Sequence, residues 1–351
     1  MKRLITCLLG LLSSGANGAE ADFIGSWDMT LTQGRLRMEG LLVISDSEQG
    51  IVGHVEGGPV RLTISAEEIE MGIDDRTATG MPFERYLRGR LQDGSLFGEF
   101  GPEDEVSDQD RELCRRLPLA CPAPTGTWQA TPHVDAADVD AAAGPVDLSG
   151  RWVMAVSGIR RWTADLTDQG QAWKDDFDVE MDLPRQRCQP SGLVNNWGFR
   201  GNDPEIFQSE SRITMIGGSN VRRIYLDDRR PPEYTDWYPL GFSSGHWDGG
   251  TLVVETTHLQ PSVREWMGDP ISEDARVIER YSIDEQGLLV GVMTVYDPQN
   301  YRTPPVKRAR WRRSDDTDIV FPSLCDPDSF YRQLYDEGRL DEYWARGHRR
   351  Y

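Results

Sequence analysis

The stretch Gly245-His246-Trp247-Asp248-Gly249-Gly250-Thr251-Leu252-Val253-Val254-Glu255-Thr256-Thr257 constrains the fold of this chain most. A Gly/Asp turn sits between two runs with strand character, which is the pattern of a β-hairpin. The β-branched residues behind the bend suit a pleated, half-buried surface. A two-residue turn at either Asp248-Gly249 or Gly249-Gly250 puts His246 and Glu255 on one sheet face. With Gly249-Gly250, Ser244 opposes Glu255 and His246 lies diagonal to it. A carboxylate that close raises an imidazole pKa and holds one tautomer, so His246 and Glu255 are the candidate acid/base pair. The plainer alternative is a hairpin-closing histidine beside a solvated glutamate.

The same stretch resembles the Gly-His-Trp-(Asp/Glu)-Gly-Asp-Thr-Leu-Val-Val-(Asp/Glu)-Thr signature of a large group of secreted, mostly uncharacterised bacterial proteins. The resemblance extends from about Arg187 to Cys325, through Cys188-Gln189-Pro190-Ser191-Gly192, Arg222 to Asp227, Ser272-Glu273 and Val277 to Arg280. It implies an antiparallel β protein outside the cytoplasm and names no substrate. Gly250 stands where the group usually has Asp, and Phe242 where many members carry a second histidine. A function that needs that histidine pair is therefore not implied.

The first nineteen residues read as a signal peptide: basic Lys2-Arg3, an apolar run from Leu4 to Leu12, and small residues to Ala19. The run is too short for a spanning helix, and a soluble, periplasmic or secreted protein without a membrane anchor is expected. Cys7 would leave with the leader. The remaining Cys114, Cys121, Cys188 and Cys325 are even in number and would meet an oxidising compartment. Three pairings are open; Cys114–Cys121 and Cys188–Cys325 are favoured, the one as a local staple and the other as a tie across the second domain. The formal charge of −20 repels phosphate backbones and anionic lipid, which excludes nucleic acid as a partner.

Length and composition indicate two domains. His133 to Val146 is rich in Ala, Asp, Pro and Gly and reads as a linker, and the pattern Phe23-Ile24-Gly25-Ser26-Trp27 restarts beyond it as Leu148-Ser149-Gly150-Arg151-Trp152. Residues 20–132 show short alternating strands with Gly/Asp turns, as in an up-and-down barrel. The opening Gly-x-Trp with this meander resembles the lipocalin/streptavidin-like barrels. Residues 147–351 carry further strands and end in a helical pattern, capped at Asp326 or Asp328 and broken at Gly338. The expected fold is all-β (mainly): two antiparallel, lipocalin-like barrel domains with a C-terminal helical segment. A barrel of this kind can enclose one small ligand.

Alternation along Arg276–Ser282 sets Arg276, Ile278 and Arg280 on one face and Val277, Glu279 and Tyr281 on the other, so a charge must point inward. Arg223, Tyr225 and Asp227 share a face of their own strand. Buried charges need partners, so Arg223, Tyr225, Glu279 and Arg280, with Trp247 near the mouth, are the candidate binding set. Trp27 and Trp152 are expected to plug the barrel ends, with Arg310 or Arg312 over Trp152. Gly241-Phe242-Ser243-Ser244-Gly245 matches a nucleophile elbow in letters only, because no helix follows the serine. The five histidines show no metal-ligand spacing, and neither a metal nor another cofactor is expected. The reading is an exported protein that binds a small apolar or aromatic molecule, with lyase, isomerase or hydratase chemistry at His246 as one form of it. A non-catalytic carrier and a structural or interaction protein are the alternatives. The oligomeric state is left open.

Overall fold

The computed structural model describes residues 18–48, 50–76, 82–103, 107–116, 124–134, 144–159, 164–190, 192–198, 203–217, 220–231, 237–264, 268–314 and 326–347. After a helical turn, α1 (Gly18–Ala21), come β1 (Gly25–Gln33), β2 (Leu36–Ser47), β3 (Gly50–Val55), β4 (Gly58–Ser65), β5 (Glu68–Arg76), β6 (Pro82–Gln92) and β7 (Ser95–Gly101). Helix α2 (Asp108–Arg116) then leads to β8 (Gly126–Pro132). Each strand pairs antiparallel with the next, and β8 returns to β1 through Trp27↔Pro132 to Thr32↔Thr127, which closes the barrel. Alternate residues point inward. Met29, Leu31, Leu42, Ile44, Ile69, Met71, Leu87, Leu96 and Trp128 fill the interior as a packed core.

The second barrel begins at β9 (Gly150–Gly158). A long connection with α3 (Asp168–Asp175) and the turn α4 (Leu193–Asn196) leads to β10 (Glu205–Gln208), β11 (Arg212–Gly217), β12 (Asn220–Tyr225), β13 (Phe242–Asp248) and β14 (Thr251–Thr257). The short strands β15 (Ser262–Val263) and β16 (Pro270–Ile271) pair apart from the barrel. It is completed by β17 (Arg276–Ile283), β18 (Leu289–Tyr296) and β19 (Val306–Arg313). The circuit of nine strands closes where β19 and β10 both pair with β9. One pair departs from the expected antiparallel order: β12 and β13 run parallel, Ile224 beside Ser243. The chain ends in α5 (Pro327–Asp336) and α6 (Leu340–Gly347), separated at Gly338 as expected. Asp326 caps α5 by accepting from the Asp328 amide at 3.1 Å. Phe330, Leu334 and Tyr343 pack on Met181, while Tyr335 and Trp344 are exposed.

The sequence repeat is a structural repeat. The Trp27 indole donates to the Phe23 carbonyl at 2.9 Å, and Trp152 donates to that of Leu148 at the same distance. Arg313 lies over Trp152, 4.5 Å from the ring centre, in place of the expected Arg310 or Arg312. A bulge between Arg310 and Trp311 shifts the register there and re-aims the last residues of β19.

The barrels touch along β2 and β9, which pair in parallel at Met38↔Ser157 and Glu39↔Gly158. The β3–β4 turn, Glu56-Gly57, is inserted against β19. Glu56 is buried; its Oε1 accepts from the Leu41 amide at 2.5 Å and from Arg308 Nε at 3.0 Å, and its carbonyl accepts from the Val306 amide at 3.0 Å. Cys114 and Cys188 are disulfide-bonded. Cys121 and Cys325, expected as their partners, lie outside the described residues, as does most of the expected linker.

Candidate functional site

The interior of the second barrel is built by residue alternation on β12, β13, β14 and β17. On β17, Val277, Glu279 and Tyr281 point inward as expected. Across the sheet Glu279 stands between Val254 and Met293, two apolar neighbours that give a carboxylate nothing to bond. Its partners come from inside the barrel. Arg222 Nη1 donates to Glu279 Oε1 at 2.9 Å and Nη2 to Oε2 at 2.5 Å, a bidentate pair. Arg222 also donates to Thr256 Oγ1 at 2.7 Å and to Ser243 Oγ at 3.0 Å. Tyr281 Oη donates to Glu279 Oε1 at 2.7 Å and accepts from the Trp197 indole at 2.6 Å. All six residues are buried.

This network acts on the protonation of Arg222 and Tyr281. Burial works most strongly against the Arg222 charge, but Glu279 and Tyr281 outweigh it, and the guanidinium is held above its ordinary range. Burial, then the Glu279 carboxylate, pushes Tyr281 well above an ordinary phenol, so near neutral pH it is a neutral donor. Neither group is poised to exchange protons there.

Above Arg222 and Tyr281 lies a cavity of about 90 Å³, walled by Leu193, Trp197, Met215, Leu240 and Trp311. The Trp197 and Trp311 rings meet edge-on, 5.6 Å apart at 86°. Gly291 makes room for both; a Cβ there would lie 2.7 Å from Trp311 and 2.9 Å from Trp197. Trp197 follows α4, so the long β9–β10 connection supplies one wall of the mouth. Elsewhere, buried Asp269 is paired with Arg264 and, at 2.6 Å, with Lys174, which ties that connection to the β15–β16 loop.

The expected site residues divide sharply. Glu279 is central, and Trp247 is half-buried against the same core. Arg223 is not in the network: it is exposed on the outer face, and its neighbour Arg222 holds the inward position. The apolar Ile224 and Leu226 fix that parity, because with them inward residue 222 must follow. Tyr225 is likewise outside, stacked on Phe242 at 5.5 Å with Arg229 over its ring at 4.6 Å. Arg280 is exposed on the outer face of β17.

The hairpin turn is Gly249-Gly250, with Gly249 at a φ of +56°, and Ser244 opposes Glu255. However, Ser243, Gly245 and Trp247 take the inner face of β13, so His246 stands outside and exposed. Glu255, also exposed, pairs with Arg276 at 3.3 Å. The pair shares a face as expected, but that face carries no enclosed site. The expected set also lacked Ser243, Thr256, Tyr281, Trp197 and Trp311. Of these, Tyr281 was legible from its period-two relation to Glu279. Among the described residues, no three His, Cys, Asp or Glu side chains come together as metal ligands.

No family model matches the chain, and no curated protein matches it. Among solved structures it is similar to a protein with unknown function from the DUF3598 family of Nostoc punctiforme. The identity is 9%, the TM-score 0.25, and the match covers 83% of this chain and 97% of that one. A likeness at that score carries no argument about function. What stands is the architecture, a mainly β protein with a closed nine-stranded barrel.

Proposed function

We propose that the second barrel is a non-catalytic binding module for a small apolar or aromatic molecule. The cavity lined by Trp197 and Trp311 carries this reading, since its walls are mainly apolar and its floor of Arg222 and Tyr281 is already hydrogen-bonded. Pockets that combine apolar walls with a few fixed polar groups suit such ligands. The space is smaller than the roughly 150 Å³ cavity that accepts benzene. The module therefore takes a ring edge or short alkyl end, and the rest of the ligand lies in the mouth near Leu193 and Leu240. An acid/base reading has no support here, because His246 and Glu255 face water on the outer wall.

The leader-like N-terminus and the disulfide state of Cys114 and Cys188 support export to an oxidising compartment. The pairings favoured are Cys114–Cys121 and Cys188–Cys325. Saturation-transfer NMR with indole tests the binding reading. Indole should bind, and Met215→Trp, which fills the cavity from an inward position, should weaken it by about tenfold or more. Unchanged affinity in the folded variant, or no binding to the parent protein, would refute the proposal.

A further inference from the structure

Outside the barrel interior, the proposed function leaves unused the cleft where the two barrels meet, about 660 Å³ in volume. That is within the usual range of small-molecule sites, which favour domain interfaces. Its floor is the outer wall of the second barrel. Registers across β17, β18, β19 and β9 set Arg280 beside Val292 and Val292 beside Arg308, and in the next row Ser282, Val290, Arg310 and Val156. The floor is thus a valine strip edged by guanidiniums. The opposite wall, from the first barrel, presents Asp28, Arg37, Glu39 and His133.

Most of these charges are already paired. Glu39 binds Arg37 at 3.0 Å and Arg310 at 2.7 Å, and Arg310 also binds Asp284 at 3.1 Å. His133 meets Asp28 at 2.8 Å, and Arg308 meets Glu56 at 3.0 Å. Arg280 differs. Among the described residues no hydrogen bond, ion pair or ring contact engages it, although the chain carries 58 acidic residues against 38 basic ones. Asp248 also lines the cleft, at the hairpin end, beyond ion-pair distance of Arg280.

We propose that this cleft binds a small organic anion, a carboxylate on an aliphatic or aromatic body, with Arg280 holding the carboxylate and Val290 and Val292 the body. The five-donor fork of an arginine matches a carboxylate bidentately. The valines supply the apolar surface that a simple inorganic anion could not use. On the first-barrel wall, Glu39 is offset by two guanidiniums, Arg37 and Arg310, and Asp28 is engaged by His133. This site is separate from the cavity beside Trp197, and neither proposal depends on the other.

The test is calorimetric titration of the full chain with naphthalene-2-carboxylate and with its neutral analogue, 2-naphthalenemethanol. The carboxylate should bind at least about tenfold more tightly than the alcohol and weaken with added salt. Arg280→Gln should lose about tenfold or more in carboxylate affinity, with Arg280→Lys intermediate. Because Arg280 is exposed on an outer face, these variants should keep the fold, and Val292→Asp gives an independent block of the floor. Arg276→Gln, on the same strand face but outside the cleft, and Met215→Trp should leave the affinity unchanged. The proposal is overturned if the carboxylate fails to bind at about 5 mM, if Arg280→Gln binds as well as the parent, or if Met215→Trp is the change that removes binding.

Discussion

Glu56 is a carboxyl group buried between two barrels, with one basic partner, Arg308, and a hydrogen bond from the Leu41 amide. Burial outweighs both and raises its pKa from 4.5 to about 7. A raised carboxyl pKa means that the folded protein holds the proton more tightly than the unfolded chain. The associated stability is fully present below about pH 4.5 and is lost as pH rises to about 7. Between those limits this group alone should cost about 3 kcal/mol. Urea unfolding from pH 5 to 8 should show that decline, and Glu56→Gln should flatten it; an equal slope in the variant would assign the effect elsewhere. Single residues were also where the sequence was least legible. Arg222 and Arg223 are adjacent and chemically alike, and only the parity set by Ile224 decides which one is buried. His246 fell outside for the same reason, since Trp247, Leu252 and Val254 claim the inner face of the hairpin.

Elements were read more securely than residues, because a strand shows in several residues at once. The hairpin of β13 and β14, the meander of the first barrel and the broken C-terminal helix were all legible from alternation, turn glycines and a capping aspartate. The parallel β12–β13 pair was not, since nothing local in a strand records the direction of its neighbour. Nor did the sequence single out the β3–β4 turn, whose short Glu-Gly bend resembles any exposed hairpin tip. Its glycine has two separate requirements. Gly57 has a φ of +78°, and a Cβ there would sit 2.3 Å from the Pro304 carbonyl oxygen. Gly94, in the β6–β7 turn, has a φ of +74° with nothing within 4 Å. Gly94→Ala should therefore cost only the backbone term, about 1–3 kcal/mol, whereas Gly57→Ala should cost more and loosen the docking. Hydrogen exchange at the Val306 amide, which is bonded to the Glu56 carbonyl, separates the two. It should accelerate in Gly57→Ala and not in Gly94→Ala; equal behaviour would mean that the turn does not anchor the barrels.

At the scale of the whole molecule, each barrel closes on its own strands: β8 on β1 in the first, β19 and β10 on β9 in the second. Closure removes the unpaired edges that would otherwise demand a partner. Each barrel also has its own buried cluster. A fragment from Val146 to Tyr351 should therefore fold alone and retain the Trp197 cavity. It should not match the intact protein in stability. Ile159, which follows β9, belongs to the apolar cluster of the first barrel and packs near Gly40, and Arg308 would lose the Glu56 carboxylate. Exposing one isoleucine side chain costs about 1.5–3 kcal/mol on the area scale. The cleft floor would remain without its opposite wall, so naphthalene-2-carboxylate should bind the fragment more weakly than it binds the full chain, while indole affinity stays the same. Near-UV circular dichroism through a urea titration gives the primary reading. A cooperative transition with a lower midpoint is the expected result. A fragment without a cooperative transition would mean that the two closed circuits fold as one unit, with the β2–β9 contact as part of a common core.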